Sequence, residues 1–289
     1  MIPPAFDYLR PTTIPEAIAL LQQYGDDAKI LSGGQSLIPM MKLRLARPAY
    51  LIDINRIAGL SYVKEEDGHL KIGGLTREAE LESSPLIRSK YPIILDTAHV
   101  IADPQVRNLA TLAGNLAHGD PANDHPATML ALGAKVVATG PAGTRVIPIG
   151  DFFVSLFTTA LTPNEIVTEI QIPVPPAHSG GAYFKLERKV GDFATAAVAA
   201  QITMDVGGVC QQAGIGLTNV GPTPIKATKA EGFVCGKKLD EATLRQAAQL
   251  AADAAQPSAD LRGPAEYKKG LVKELAFRAL SRAVERAGK

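Results

Sequence analysis

The chain has 289 residues, 46% of them hydrophobic, and a formal net charge of +1. That length supports two or three modest domains with buried cores. The near-neutral charge without a basic block argues against a nucleic-acid-backbone binder. No run of eighteen uncharged apolar residues occurs, which excludes an ordinary membrane-spanning helix. The start, Met1-Ile2-Pro3-Pro4-Ala5-Phe6-Asp7, has no secretion-signal pattern and reads as a mature cytoplasmic N-terminus.

In chain order, a first unit runs to about residue 57. Residues 14–24 are expected to be helical, with Pro15 in the first turn and Gly25 as the stop. A short strand at 29–31 feeds the loop Ser32-Gly33-Gly34-Gln35-Ser36, a helix restarts over 37–45, and 50–54 is a second strand. The second unit covers 58–176. It is expected to hold a strand at 70–73, a helix starting within 76–81 with Thr76 as its cap, and a helix over 91–101 closed by Pro104. A polar stretch, 103–126, then leads to a helix at 129–132 and to strands at 135–139, 145–147 and 166–172. Pro173, Pro175 and Pro176 mark a stiff boundary. The third unit, 177–289, reads as strands at 182–189, 195–206 and 209–218 with a Gly207-Gly208 hairpin, followed by alanine-rich helices at 241–255 and 267–287. Lys268, Lys269, Lys273, Arg278 and Arg282 are assigned to the wet face of the last helix.

The most informative segments are two glycine-centred loops about eighty residues apart, 32–36 and Thr111-Leu112-Ala113-Gly114-Asn115. Small residues let the chain bend tightly and turn several N–H groups toward one point, which suits an anion. Leu37 opens a helix whose N-terminus sits on the first loop, and Ser32, Ser36 and Thr111 add uncharged donors. Several charge-assisted bonds of roughly 1.5–3 kcal/mol each would hold a diphosphate without a lysine in contact. Neither loop fits the dinucleotide fingerprint or the P-loop. Gly214-Ile215-Gly216 lacks the third glycine and leads into no helix. Two ordinary turns remain the alternative on spacing alone.

Metal chemistry finds no support. Cys210 and Cys235 are the only cysteines, so the chain cannot supply the four ligands of an iron–sulfur cluster, and both are expected to be buried packing residues. The five histidines are scattered, and no metal site is assigned.

Across almost its whole length the chain resembles the flavin-carrying medium subunits of molybdenum hydroxylases (the xanthine dehydrogenase family), and most of all their carbon monoxide-oxidising branch. The resemblance rests on Ser32-Gly33-Gly34-Gln35-Ser36-Leu37, on 101–108 (Ile-Ala-Asp-Pro-Gln-Val-Arg-Asn) leading to 111–115 and Gly119-Asp120-Pro121, on Lys185-Leu186-Glu187-Arg188-Lys189 with Gly191-Asp192-Phe193-Ala194-Thr195, and on Arg262-Gly263-Pro264. It implies an α+β architecture. Two subdomains of the FAD-binding PCMH type (vanillyl-alcohol-oxidase-like), 1–57 and 58–176, would grip FAD non-covalently. A C-terminal flavoprotein domain of antiparallel sheet with helices, 177–289, would follow. Both glycine loops would hold the pyrophosphate, Asn115 and Asp124 would meet sugar and ribityl hydroxyls, Lys185 would reach the ring system, and Phe193 would lie over the isoalloxazine.

Three departures accompany the likeness: Gln35 where relatives often carry histidine, Phe193 for tyrosine, and Ala113 for glycine, the last expected to strain a backbone position that may favour positive φ. By the same resemblance the role is electron transfer, with no catalytic base on this chain. His118, His125, Arg107 and Asn108 are given local packing or loop-organising roles. The molybdenum cofactor would lie on a large partner subunit and the 2Fe–2S clusters on a small one, in a dimer of heterotrimers. The complex would be cytoplasmic, with peripheral contact to the inner membrane through the electron acceptor, a quinone or another species. Purine, N-heterocycle or aldehyde dehydrogenase subunits, a self-contained FAD oxidase and a flavin-free scaffold stand as alternatives.

Overall fold

The computed structural model describes residues 1–288. The chain opens with β1 (Asp7–Leu9), α1 (Ile14–Tyr24), β2 (Ala28–Leu31), α2 (Leu37–Lys42) and β3 (Tyr50–Asp53), forming a parallel sheet in the order β1-β3-β2. Helix α1 is capped by Thr13, whose side chain accepts from the Glu16 N–H, and buries Ala17, Ile18 and Leu21. The helix expected over 37–45 stops at Lys42, because Arg44 turns to a φ of 65° and folds Leu45 back onto the Met40 carbonyl.

Next come β4 (Val63–Glu66), β5 (His69–Gly73), α3 (Glu78–Ser83), α4 (Pro85–Lys90), α5 (Pro92–His99), α6 (Pro104–Arg107), α7 (Leu112–His118) and α8 (His125–Leu132). They are followed by β6 (Lys135–Gly140), β7 (Gly143–Pro148), β8 (Phe153–Ser155), β9 (Thr158–Thr159) and β10 (Ile166–Pro173). Five of these strands form a sheet in the order β4-β5-β10-β6-β7, with every pairing antiparallel. Thr76 does not cap α3 as expected: its hydroxyl donates to the Tyr62 carbonyl and accepts from the Tyr62 N–H, while Glu80 reaches back to the Arg77 N–H at 2.7 Å. The helix expected over 91–101 is shorter, with Pro92 opening it and Val100 ending it.

The last part holds β11 (Ser179–Glu187), β12 (Ala194–Met204), β13 (Cys210–Thr218), β14 (Ile225–Lys226), α9 (Thr228–Val234), α10 (Glu241–Ala254) and α11 (Ala265–Ala287). Its four strands are antiparallel in sequential order. Strand β12 is buried on both faces. Ala197 and Ala199 join the core shared with α5 and α8, whereas Ala196, Val198, Ala200 and Ile202 join the core under α10 and α11.

Small residues set the depth of that packing. A Cβ on Gly214 or Gly216 would lie 1.9 or 2.0 Å from the carbonyls of Ala131 and Ala127 in α8, so these glycines serve close helix–sheet approach. One correction falls on α11: Lys268 is not on the wet face but 2% exposed, paired with Asp260 at 2.8 Å and donating to the Ser258 carbonyl. Lys273, Arg278 and Arg282 are exposed as expected.

Candidate functional site: a cleft closed by two glycine loops

The first sheet brings β2 to the loop 32–36, and α6 leads the chain to the second loop at Thr111. The two loops touch. Ser32 Oγ and Thr111 Oγ1 are 3.2 Å apart, and a Cβ on Gly33 would stand 2.4 Å from the Leu109 carbonyl oxygen. Only glycine tolerates that approach. Gly34 follows at a φ of +74°, which a side chain would strain. Among the described residues, the N–H groups of Gly33, Gly34, Gln35 and Ser36 find no acceptor in the protein.

On the second loop Thr111 is the N-cap of α7, its hydroxyl accepting from the Gly114 N–H at 3.0 Å. Sequence reasoning treated 111–115 as a loop; the structure makes most of it the first turn of a helix. The strain expected at Ala113 is therefore absent, because Ala113 lies within α7 and its φ is not positive. Ala113 is 4% exposed and belongs to the core.

Both loops edge a cleft of about 660 Å³. Ser32, Gly33, Gly34, Gln35, Ser36, Leu37, Thr111, Ala113, Gly114, Asn115, Asp124, Lys185 and Phe193 all line it. Leu112 does not: its side chain is fully buried in the central core, so only its backbone is available near the loop. The residues also brought to the cleft but given no cofactor role from sequence are mostly apolar, among them Ile30, Ile101, Val106, Phe157 and Leu161, with Asn123 and Asp192. Such positions carry no chemical signature in a sequence, since apolar walls and core look alike.

Beside the loops, polar groups of the cleft wall are tied to one another. Asp124, at the N-terminal end of α8, accepts from the Tyr183 hydroxyl at 2.6 Å and from Lys185 Nζ at 3.1 Å. Lys185 also donates to the Val100 carbonyl at 3.0 Å and pairs with Glu187 at 3.2 Å. Burial pushes the Asp124 carboxyl up from its ordinary value, against the pull of Lys185. It likewise raises the Tyr183 phenol well above its ordinary value, with the Asp124 charge adding to the effect. Sequence reasoning gave Asp124 and Lys185 separate roles; the structure makes them an ion pair. Phe193 also lines the cleft, 47% exposed, and its N–H donates to Asp192 Oδ1.

Of the remaining candidates, His118 also lines the cleft, whereas His125 and Arg107 do not. His125 is buried with Nε2 2.8 Å from Glu78, and His118 packs against the Phe157 ring with centroids 5.3 Å apart. Burial lowers the pKa of His118. Arg107 bonds Glu82 and the Ile101 carbonyl, holding the loop before the second glycine turn.

A buried anchor without a partner supports a ligand in this cleft. Asn115 Oδ1 is sealed from solvent with no hydrogen-bond partner among the described residues. Together with the free N–H groups of the first loop, it makes a donor and acceptor set suited to a diphosphate and its sugar hydroxyls. These residues fit FAD.

Family models agree. Residues 4–175 match the FAD-binding domain in molybdopterin dehydrogenase and residues 181–283 match the CO dehydrogenase flavoprotein C-terminal domain. The chain belongs to this family of FAD-binding flavoprotein subunits of molybdopterin dehydrogenases. It is 47% identical to the carbon monoxide dehydrogenase medium chain of Afipia carboxidovorans, over 99% of both chains. Its fold superposes with a TM-score of 0.96 on carbon monoxide dehydrogenase from Hydrogenophaga pseudoflava lacking the Mo-pyranopterin moiety, at 46% identity and 99% of both chains. Quinoline 2-oxidoreductase from Pseudomonas putida 86 superposes at a TM-score of 0.93, with 32% identity and full coverage of both chains.

Proposed function

We propose that this chain is the FAD-carrying electron-transfer subunit of a molybdenum hydroxylase complex that oxidises carbon monoxide. The observation that carries the reading is the pair of touching glycine loops on one cleft, in a chain 47% identical to a carbon monoxide dehydrogenase medium chain. When bound, FAD supplies the redox-active ring that relays electrons from 2Fe–2S clusters on a small partner chain to a quinone or another acceptor.

The protein's own part is binding and orientation. The N–H groups of Gly33 to Ser36 and the first turn of α7 hold the diphosphate, with Ser32, Ser36 and Thr111 as further donors. Asn115 Oδ1 accepts from a sugar hydroxyl. The Asp124–Lys185 pair meets the ribityl chain and the polar edge of the ring, and Phe193 covers the ring face. No group on this chain acts as a catalytic base. Substrate oxidation belongs to a large molybdenum-binding subunit; with the small subunit the three chains form a cytoplasmic heterotrimer that pairs into a dimer. The complex meets the inner face of the membrane through its acceptor.

The likeness to quinoline 2-oxidoreductase favours a second reading, an N-heterocycle dehydrogenase subunit, on a lower identity of 32%. Purification of the tagged chain from its host, with the flavin spectrum and the partner chains identified, tests both. A yellow complex with two further chains and carbon monoxide-dependent dye reduction is expected. A colourless chain, or one purified alone from its native host, contradicts the proposal. Activity on an N-heterocycle in place of carbon monoxide selects the second reading.

A further inference from the structure

One side chain links the two glycine loops without lining the cleft. Arg77 donates through one terminal nitrogen to the Leu109 carbonyl and through the other to Asn55 Oδ1. Asn55 in turn donates from Nδ2 to the Ser32 carbonyl at 2.9 Å and is itself held by Asp53, whose Oδ1 accepts from the Asn55 N–H at 2.9 Å and from Nδ2 at 2.6 Å. Tyr8 on β1 closes the series by donating to the other Asp53 oxygen. The backbone adds support beside it, since Arg77 bridges Thr111 and the Glu78 N–H donates to the Ala110 carbonyl at 2.9 Å.

We infer that Arg77, acting through Asn55, is a positioning residue for the cofactor, a latch that sets both glycine loops in the geometry needed for the diphosphate. The inference rests on the reading that those loops hold the FAD pyrophosphate. Its physical basis is the planar trans peptide, in which C=O and N–H point in opposite directions. Anchoring the Ser32 carbonyl on Asn55 turns the Gly33 N–H the opposite way, and that N–H has no acceptor among the described residues. Anchoring the Leu109 carbonyl fixes the surface on which Gly33 packs, where a Cβ would be 2.4 Å away.

One guanidinium therefore governs the orientation of the first loop and its spacing from the second. A rigid two-pronged donor suits this task, whereas a lysine gathers its donors on one flexible nitrogen and does not hold two separate acceptors in a fixed fork. Arg77 is half-buried, and desolvation lowers its pKa while Glu80 and Asp53 oppose the shift. The charge is thus retained at a cost, as expected of a group kept for geometry.

The test uses the full-length chain freed of flavin and titrated with FAD, ADP and riboflavin, in wild type and in Arg77→Gln, Arg77→Lys, Asn55→Ala, the Arg77→Gln/Asn55→Ala pair and Gly33→Val. Arg77→Gln and Asn55→Ala are each expected to raise the Kd for FAD and for ADP tenfold or more, with riboflavin changed less than twofold. The pair should lose little beyond either single variant, because both act on one series of bonds. Arg77→Lys should recover part of the loss.

If Arg77→Gln does not fold, Asn55→Ala and Arg77→Lys carry the same comparison. FAD affinity within twofold of wild type in both Asn55→Ala and an Arg77 variant overturns the latch. So does an equal loss for riboflavin and ADP, which would mark a general structural role. If Gly33→Val loses FAD while the Arg77 and Asn55 variants keep it, the latch fails and the diphosphate reading stands. If Gly33→Val keeps FAD, that reading fails and takes the latch with it.

Discussion

Ser32 Oγ and Thr111 Oγ1 meet at 3.2 Å across a sequence separation of 79 residues. Thr111 Oγ1 also accepts from the Gly114 N–H, so one hydroxyl both caps α7 and joins the two loops. The double duty explains why a hydroxyl-bearing residue stands at a position only 3% exposed.

Thr111→Val keeps the shape and removes the oxygen. Loss of the cap is expected to cost about 1 kcal/mol in denaturant unfolding, and FAD should bind severalfold more weakly. Thr111→Ser should restore both. Wild-type affinity in the valine variant would show that the hydroxyl contact is incidental to the cleft.

Asp124 gives a pH dependence of definite sign. Its carboxyl pKa is raised in the folded chain above the ordinary 3.8, with burial the main cause. Between those two values the folded state holds the proton more often than the unfolded chain does, so stability falls as pH rises through that window. Asp124→Asn should remove this slope from a plot of unfolding free energy against pH. A variant whose stability still follows the wild-type curve would assign the slope to another group.

Much of the site was legible because its chemistry depends on residue type at short spacing. Gly33 and Gly34 mark a turn that only small residues make, and the hydroxyls beside them announce donors. The misses have a common cause: they depend on which distant element packs above. Lys268 looked solvated by helical period, yet Ser258 and Asp260 fold over it. Ala113 looked strained and Leu112 looked free for the cofactor because α7 could not be inferred from its short, alanine- and glycine-bearing sequence; in the helix Leu112 packs into the core. Gly214 and Gly216 looked like a failed nucleotide motif, whereas they admit the backbone of α8. Short elements such as β1 and β4 have too few residues to show a period.

The cysteines supply a chemical check on that packing. Both were expected to be buried, but only Cys210 is; Cys235 is exposed. Burial and the neighbouring Cys235 push the Cys210 thiol up to about 12. A native chain titrated with a thiol reagent at pH 8 should react at a single cysteine, identified as Cys235 by mass spectrometry, with Cys210 reacting only after unfolding. Equal labelling of both would mean that the contact between β13 and the segment after α9 opens readily.

The central claim is that both glycine loops hold one diphosphate. A crystal structure of the chain with FAD bound tests it most directly. The account predicts phosphate oxygens within hydrogen-bond distance of N–H groups from Gly33–Ser36 and from the first turn of α7, with the isoalloxazine toward Lys185 and Phe193. A diphosphate bound by only one of the two loops, or lying elsewhere on the molecule, would contradict it.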